Sequence, residues 1–360
     1  MTRPARVVID LAALQHNLSR IRSLAPASKV MAIVKADAYG HGIERVALAL
    51  VDVDGFGVAC LEEAEQLRTA GVTLPVLLLE GPYAADELER VQSLGLEMVV
   101  HHEYQLRMLE QARLQGPVQV WLKVDSGMHR LGIDLADAVS AWQRLLACRN
   151  VLPRPRLMTH FAAANERDNP MTAEQLRKFN EVCGHIDAER SLANSAAIVA
   201  WPDSHADWVR PGLMLYGVSP MQHEAAYDLG LRPVMSLLSE LISVRNLQQG
   251  DPVGYGAGWR CPQAMPVGIV AAGYADGFPR HAGSGTPILV NGRRASVIGN
   301  VSMDLLAIDL RAVPQAKVGD PVELWGSNLP IEEIAQHAGT IPYELLCGVH
   351  KRLFFIEQYG

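Results

Sequence analysis

The sequence is poor in features that would place the protein outside ordinary metabolism. Its five cysteines, Cys60, Cys148, Cys183, Cys261 and Cys347, are odd in number, far apart and without a Cys-x-x-Cys pair. That spacing excludes a disulfide scaffold or a zinc ribbon and suits free thiols in a reducing cytoplasm. Basic charge is also scarce. Lys and Arg total 32 against 39 Asp and Glu, a net charge of −7, and no basic stripe offsets it. A nucleic-acid backbone is therefore not an expected partner. Apolar runs such as 74–79 and 267–272 fall far short of a membrane span. The N-terminus lacks the apolar stretch of an export signal, so cytoplasmic residence is expected. No His-x-His or clustered carboxylates of metal-ligand type appear beside the candidate site residues, so no metal is expected. Internal repeats and low-complexity tracts are lacking.

What is present reads as a large two-part globular protein. Apolar residues make up 49% and charged residues 20%, an ordinary globular mix. Through the first two-thirds, short apolar runs at 30–36, 55–59, 74–80, 96–101, 118–124, 157–161, 191–195 and 209–216 alternate with amphipathic stretches such as 61–70, 84–94 and 103–114. Buried parallel strands and their crossover helices give this texture. Eight units spaced about 25 residues apart suggest a (β/α)₈ TIM-type barrel, with a doubly wound open sheet as the competitor. After residue 230 the helical period vanishes until Ile331. Short β-like runs at 240–244, 266–271 and 288–290 replace it, with Asn291-Gly292 as a hairpin signal. The expected organisation is a barrel over 9–230 and a mostly β domain over 231–360, which strand 1–8 joins.

In such a barrel, catalytic residues gather where strands end. The first run ends Ile33-Val34-Lys35-Ala36-Asp37-Ala38-Tyr39-Gly40-His41-Gly42, the fifth runs into Lys123-Val124-Asp125-Ser126-Gly127-Met128-His129-Arg130, and the sixth ends Thr159-His160-Phe161. The seventh ends Asn194-Ser195, and the eighth holds Val209-Arg210-Pro211-Gly212-Leu213. Each residue has a bland reading. Lys35 is equally a strand-end lysine reaching water, or a nucleophilic amine. His160 alone is more often a structural group, and Tyr255 within Gly254-Tyr255-Gly256 or Met303 within Ser302-Met303-Asp304 sits as well in a plain turn. The signal is that Lys35, Arg130, His160, Ser195 and Arg210 cluster at one expected face.

Together these segments resemble the alanine racemase family over nearly the whole chain, from Ile9-Asp10-Leu11 to Tyr343-Glu344. The Lys35 segment is similar to the family's cofactor signature, and the segments around Arg130, Arg210 and Tyr255 support the likeness independently. The resemblance implies a barrel plus a β domain, pyridoxal 5′-phosphate as cofactor, L- and D-alanine as substrates, and a head-to-tail homodimer with shared active sites. It implies that Lys35 holds the cofactor covalently and is one acid/base, with Tyr255 of the other chain as its opposite number. It places Tyr39, Ser195, Gly212, Leu213 and Tyr343 around the phosphate, His160 and Arg210 beside the ring, and Arg130 and Met303 at the substrate carboxylate. An arginine against the pyridine nitrogen offers only donors and no acceptor for a ring N–H, so the ring would stay largely unprotonated and a modest electron sink. Supporting roles fall to Lys123, at a position often N-carbamylated in the family, and to Tyr274 and Asp304. Asn165, Arg280, Asn300 and Ile341 would line the substrate corridor. Asn165 and Asn300 depart from the family, which commonly carries Asp and Arg there. The implied role is D-alanine supply or consumption for cell-wall precursors.

Alternatives of other classes remain. A basic amino-acid decarboxylase would need a glycine-rich phosphate loop and an acidic partner for the pyridine nitrogen, where Arg210 stands. Broad-specificity amino-acid racemases resemble exported proteins. A non-catalytic cofactor-binding protein of the single-barrel type would lack any counterpart of Tyr255.

Overall fold

A computed structural model describes residues 3–359. Eight parallel strands close into a barrel: Lys29–Ile33, Gly55–Val58, Val76–Leu78, Glu97–Val100, Gln119–Asp125, Arg156–Met158, Arg190–Asn194 and Trp208–Arg210. The last pairs with the first, and the fourth with the fifth, so the ring has no open edge. The strands are short and almost wholly buried, as helix-covered parallel strands must be. The closed ring excludes the doubly wound sheet. The run expected at 209–216 is split. Its first part is the eighth strand, and Leu213–Tyr216 forms a 3₁₀ turn instead, after Pro211 and Gly212 break the ladder.

The second sheet has eight strands in the order Met265–Val270, Leu306–Asp309, Arg293–Ile298, Pro287–Val290, Pro321–Trp325, Met235–Leu247, Arg6–Asp10, Phe354–Gln358. Met235–Leu247 is long and irregular near Leu241, and its far half also pairs with Met265–Val270, which curls the sheet on itself. The hairpin at Asn291-Gly292 has φ of 50° and 74°, the left-handed pair that a two-residue type I′ turn requires. The N-terminal strand Arg6–Asp10 lies in this second sheet, antiparallel to Met235–Leu247 and parallel to Phe354–Gln358. Asp10 then caps the helix Leu11–Leu24, its carboxylate accepting from Ala13 N at 2.8 Å, and this helix leads into the barrel.

At the N-terminal end of the barrel, Glu97 accepts from Trp121 Nε1 at 2.7 Å and from Arg156 at 2.9 Å. Trp121 and Trp208 pack edge to face there at 5.8 Å. This plug leaves the opposite end free to be shaped by the loops. Among the described residues no helix is long and apolar enough to cross a membrane.

Candidate active site

A cavity of about 740 Å³ opens at the C-terminal end of the barrel strands. Its lining contains Lys35, Tyr39, Lys123, Arg130, His160, Ser195, Arg210, Gly212, Leu213, Ile341 and Tyr343, eleven of the residues the sequence singled out. Glu80, Thr159 and Cys347 join them without having been foreseen.

Lys35 follows the first strand, and the next four residues, Ala36 to Tyr39, all have φ of 53°. L-residues pay about 1–2 kcal/mol each in that left-handed region. The turn is bound at several points. Ala36 N donates to Glu63 Oε1 at 2.6 Å, and Ile43 N donates to Asp37 Oδ1 at 2.8 Å. The buried His41 ring donates from Nδ1 to the Ala38 and Tyr39 carbonyls at 3.0 and 2.9 Å. Burial pushes His41 down to about 4, against the weaker pull of those carbonyls, so it stays neutral. Gly40 closes the turn where only glycine fits: an added Cβ would meet the Leu346 carbonyl oxygen at 2.2 Å.

The electrostatics are one-sided. Lys35, Lys123, Arg130 and Arg210 line the cavity against a single carboxylate, Glu80, and none of the four cations has an ion pair among the described residues. Burial is the main reason that Lys123 falls from its ordinary 10.5 to about 8, and Arg210, Arg130 and Lys35 push the same way. His160 is driven well below its ordinary value, first by desolvation and then by Arg210, Lys123, Arg130 and Lys35. It is therefore a neutral imidazole.

Arg210 is buried, and its guanidinium is held in one orientation. It donates to Ser191 Oγ at 2.6 Å and to the Thr159 carbonyl at 2.7 Å, and it approaches His160 Nδ1 at 3.3 Å. Burial lowers it to about 10, which leaves it cationic at neutral pH. On the other wall, Ser195 Oγ accepts from Gly212 N at 2.8 Å. The Tyr39 ring packs on Tyr216 at 4.9 Å and on Tyr343 at 5.7 Å. A Cβ on Gly212 would lie 2.5 Å from Tyr39 Oη, so the site keeps this corner bare.

The structure does not bring every candidate into this cavity. Tyr255, Tyr274 and Met303 belong to the second sheet's loops, where they are 74%, 39% and 53% exposed. Tyr274 N and Ala275 N donate to the Ser302 and Met303 carbonyls at 3.1 and 3.0 Å, so these two loops form one unit. Asp304 accepts from Arg352 at 2.7 Å, and the same arginine reaches the fully buried Asp276. Asn300 Nδ2 donates to the Tyr255 carbonyl at 3.0 Å. Arg280 is exposed on the segment after Tyr274, and Asn165 lies on a separate surface groove with Arg167 and Glu224. Sequence inspection missed Glu63, His41, Ser191 and Thr159. Glu63 alone left a signal, as an acidic residue in the first turn of the helix Leu61–Thr69.

The family described as alanine racemase, N-terminal domain, matches residues 9–220, and that described as alanine racemase, C-terminal domain, matches 234–356. The chain is 51% identical to an alanine racemase of Shewanella loihica, over 97% of each chain. It is 52% identical to a catabolic alanine racemase of Pseudomonas putida, over 97% of this chain and 98% of that one. Among solved structures, the biosynthetic alanine racemase of Pseudomonas aeruginosa superposes with a TM-score of 0.97 at 46% identity, covering 99% of this chain and 100% of the other.

Proposed function

Since the chain belongs to the alanine racemase family, we propose that it interconverts L-alanine and D-alanine with pyridoxal 5′-phosphate as cofactor, using Lys35 and Tyr255 of the partner subunit as the two acid/base groups. It is an isomerase. The observation that carries the reading is the lysine at a barrel-strand end within a cavity of four cations and one carboxylate. Such a donor set fits a ligand bearing a phosphate and a substrate carboxylate, and Gly212 leaves room for close approach beside Ser195 and Tyr39. The cofactor supplies an aldehyde for the lysine amine and a ring that withdraws electrons from Cα.

The chain's own residues do the rest. Tyr39, Ser195, Tyr343 and the backbone at Gly212 and Leu213 would hold the phosphate. Arg210, fixed by Ser191 and Thr159, would face the ring nitrogen, where it offers only donors and no acceptor for a proton, an environment that would disfavour side reactions of a stronger electron sink. Arg130 and Met303 of the partner subunit would hold the alanine carboxylate, and Lys123, wherever its amine takes up carbon dioxide, would turn Arg130 toward it. One proton then leaves one face of Cα and another arrives on the opposite face. Lys35 takes it from the D-isomer and Tyr255 from the L-isomer, which requires the two groups to flank the carbon.

The proposal includes a homodimer in which the exposed loops of Tyr255, Tyr274 and Met303 complete the neighbouring cavity. It also includes a role in supplying or consuming D-alanine for cell-wall precursors.

Incubation with each alanine enantiomer in heavy water tests the reading. Both should incorporate deuterium at Cα and converge on a racemic mixture. Because the enantiomers have equal free energy, kcat/KM must come out equal in the two directions. Carbon dioxide release from lysine or arginine, or no exchange at all, would replace this reading with the decarboxylase or the carrier.

A further inference from the structure

We propose that Glu63 is a positioning residue for Lys35: its carboxylate locks the left-handed turn that aims the lysine into the cavity. The inference rests on the function proposed above.

Lys35 has a fixed residue on each side. Before it, Val34 N donates to the Gly57 carbonyl at 2.9 Å, which ties the chain to the barrel. After it, the first group the backbone meets is Glu63, through Ala36 N at 2.6 Å. From Ala36 onward four non-glycine residues hold φ of 53° in succession, an arrangement that persists only when its surroundings over-determine it. Asp37 and His41 secure the far end of the turn, through Ile43 N and through the Ala38 and Tyr39 carbonyls. Glu63 is the side chain that secures the end next to the lysine.

The same carboxylate has an ordinary duty. Glu63 is the third residue of the helix Leu61–Thr69, and its Oε2 accepts from Ala59 N at 2.8 Å, just ahead of the cap residue. That contact alone resembles a capping box. The other oxygen does not serve the helix but crosses to the neighbouring loop. The cap residue, Cys60, has the extended backbone of an N-cap, φ −137° and ψ 170°, yet makes no side-chain cap bond. One carboxylate thus joins the starts of two consecutive βα loops, and the lysine's direction depends on a bond that Gln cannot fully replace. An amide offers a single acceptor oxygen for two N–H groups and turns its own NH₂ toward one of them.

The test uses the cofactor-loaded protein and the variants Glu63→Gln and Cys60→Ser/Glu63→Gln. In the single variant, amide exchange at residues 36–39 should speed up by at least about tenfold, and kcat should drop about 10- to 100-fold in both directions while KM for alanine stays within about threefold. Serine at position 60 restores an N-cap to the helix. The double variant should therefore regain thermal stability but neither amide protection at 36–39 nor turnover. Unchanged exchange at 36–39, or a double variant that recovers kcat together with stability, would reduce Glu63 to a helix cap and overturn the proposal. Amide exchange is read without alanine. Failure of the wild type to racemise alanine would therefore retire the parent reading and leave the Glu63 result standing on its own.

Discussion

Lys123 sits in an environment that its sequence neighbours do not suggest. On paper it is one lysine in a β-like run. In the fold, burial and then the neighbouring Arg210, Arg130 and Lys35 push its amine down to about 8. An unfolded chain keeps this proton to a higher pH. Between about 8 and the ordinary 10.5 the folded state therefore binds fewer protons than the unfolded one, and stability must rise with pH across that window. Below 8 both states are protonated, and the buried charge costs its full penalty. In buffer free of carbon dioxide, the unfolding free energy of wild type minus that of Lys123→Met should rise from pH 8 to pH 10. A flat or falling difference would mean that Lys123 is not held among the other cations. Added bicarbonate near pH 8 should attach one carbon dioxide to this lysine, visible by mass spectrometry of the intact protein. His160 was legible because it stands at the end of an apolar run, Arg210 because it interrupts one, and Arg130 because it follows the fifth run closely. Glu63, marked only by its place in the first turn of a helix, and His41 were not, because their importance comes from the backbone groups they bind, which no pattern of side chains shows.

At the level of elements, the barrel strands were readable because near-complete burial makes them mostly apolar, so the run 55–59 nearly coincides with the strand Gly55–Val58. A strand over 1–8 was expected to join the β domain, and the strand that pairs there is Arg6–Asp10. Its two partners lie more than 220 residues further along the chain, and no local signal names them. The left-handed turn after Lys35 was invisible for the opposite reason: nothing in the run of two alanines, an aspartate and a tyrosine announces four successive positive φ angles. Another element shows how tightly the second domain presents its loops. Gly273 has an ordinary extended φ of −160°, yet a Cβ there would meet the Ser302 and Met303 carbonyl oxygens at 2.2 and 2.5 Å. Backbone oxygens cannot swing aside as a side chain would. Gly273→Ala should therefore destabilise the protein by about 1–3 kcal/mol and shift the Met303 loop. Thermal melts and the KM for alanine check this, and a wild-type KM would show that the loop does not touch substrate.

The whole molecule divides its proposed chemistry between a cavity in the barrel and loops that the second sheet leaves exposed. Asn165 and Asn300 bear on how two chains meet. If the corridor runs between them, the neutral pair replaces the oppositely charged pair common in the family, and restoring only one charge would leave a partly buried ion unpaired. Asn165→Asp and Asn300→Arg should each raise KM or weaken the dimer, and the double variant should recover, with a coupling at or above the 0.2–1 kcal/mol of exposed pairs. Additive effects would make the two positions independent. The central claim is that each site takes Lys35 from one chain and Tyr255 from the other. The direct measurement mixes Lys35→Ala, inactive alone, with Tyr255→Phe, inactive alone, and follows alanine racemisation through subunit exchange. Recovery that grows with heterodimer content is expected, because one site per heterodimer then holds both wild-type residues. Proven heterodimers with no racemase activity would mean that the two groups act within a single chain, contradicting the account.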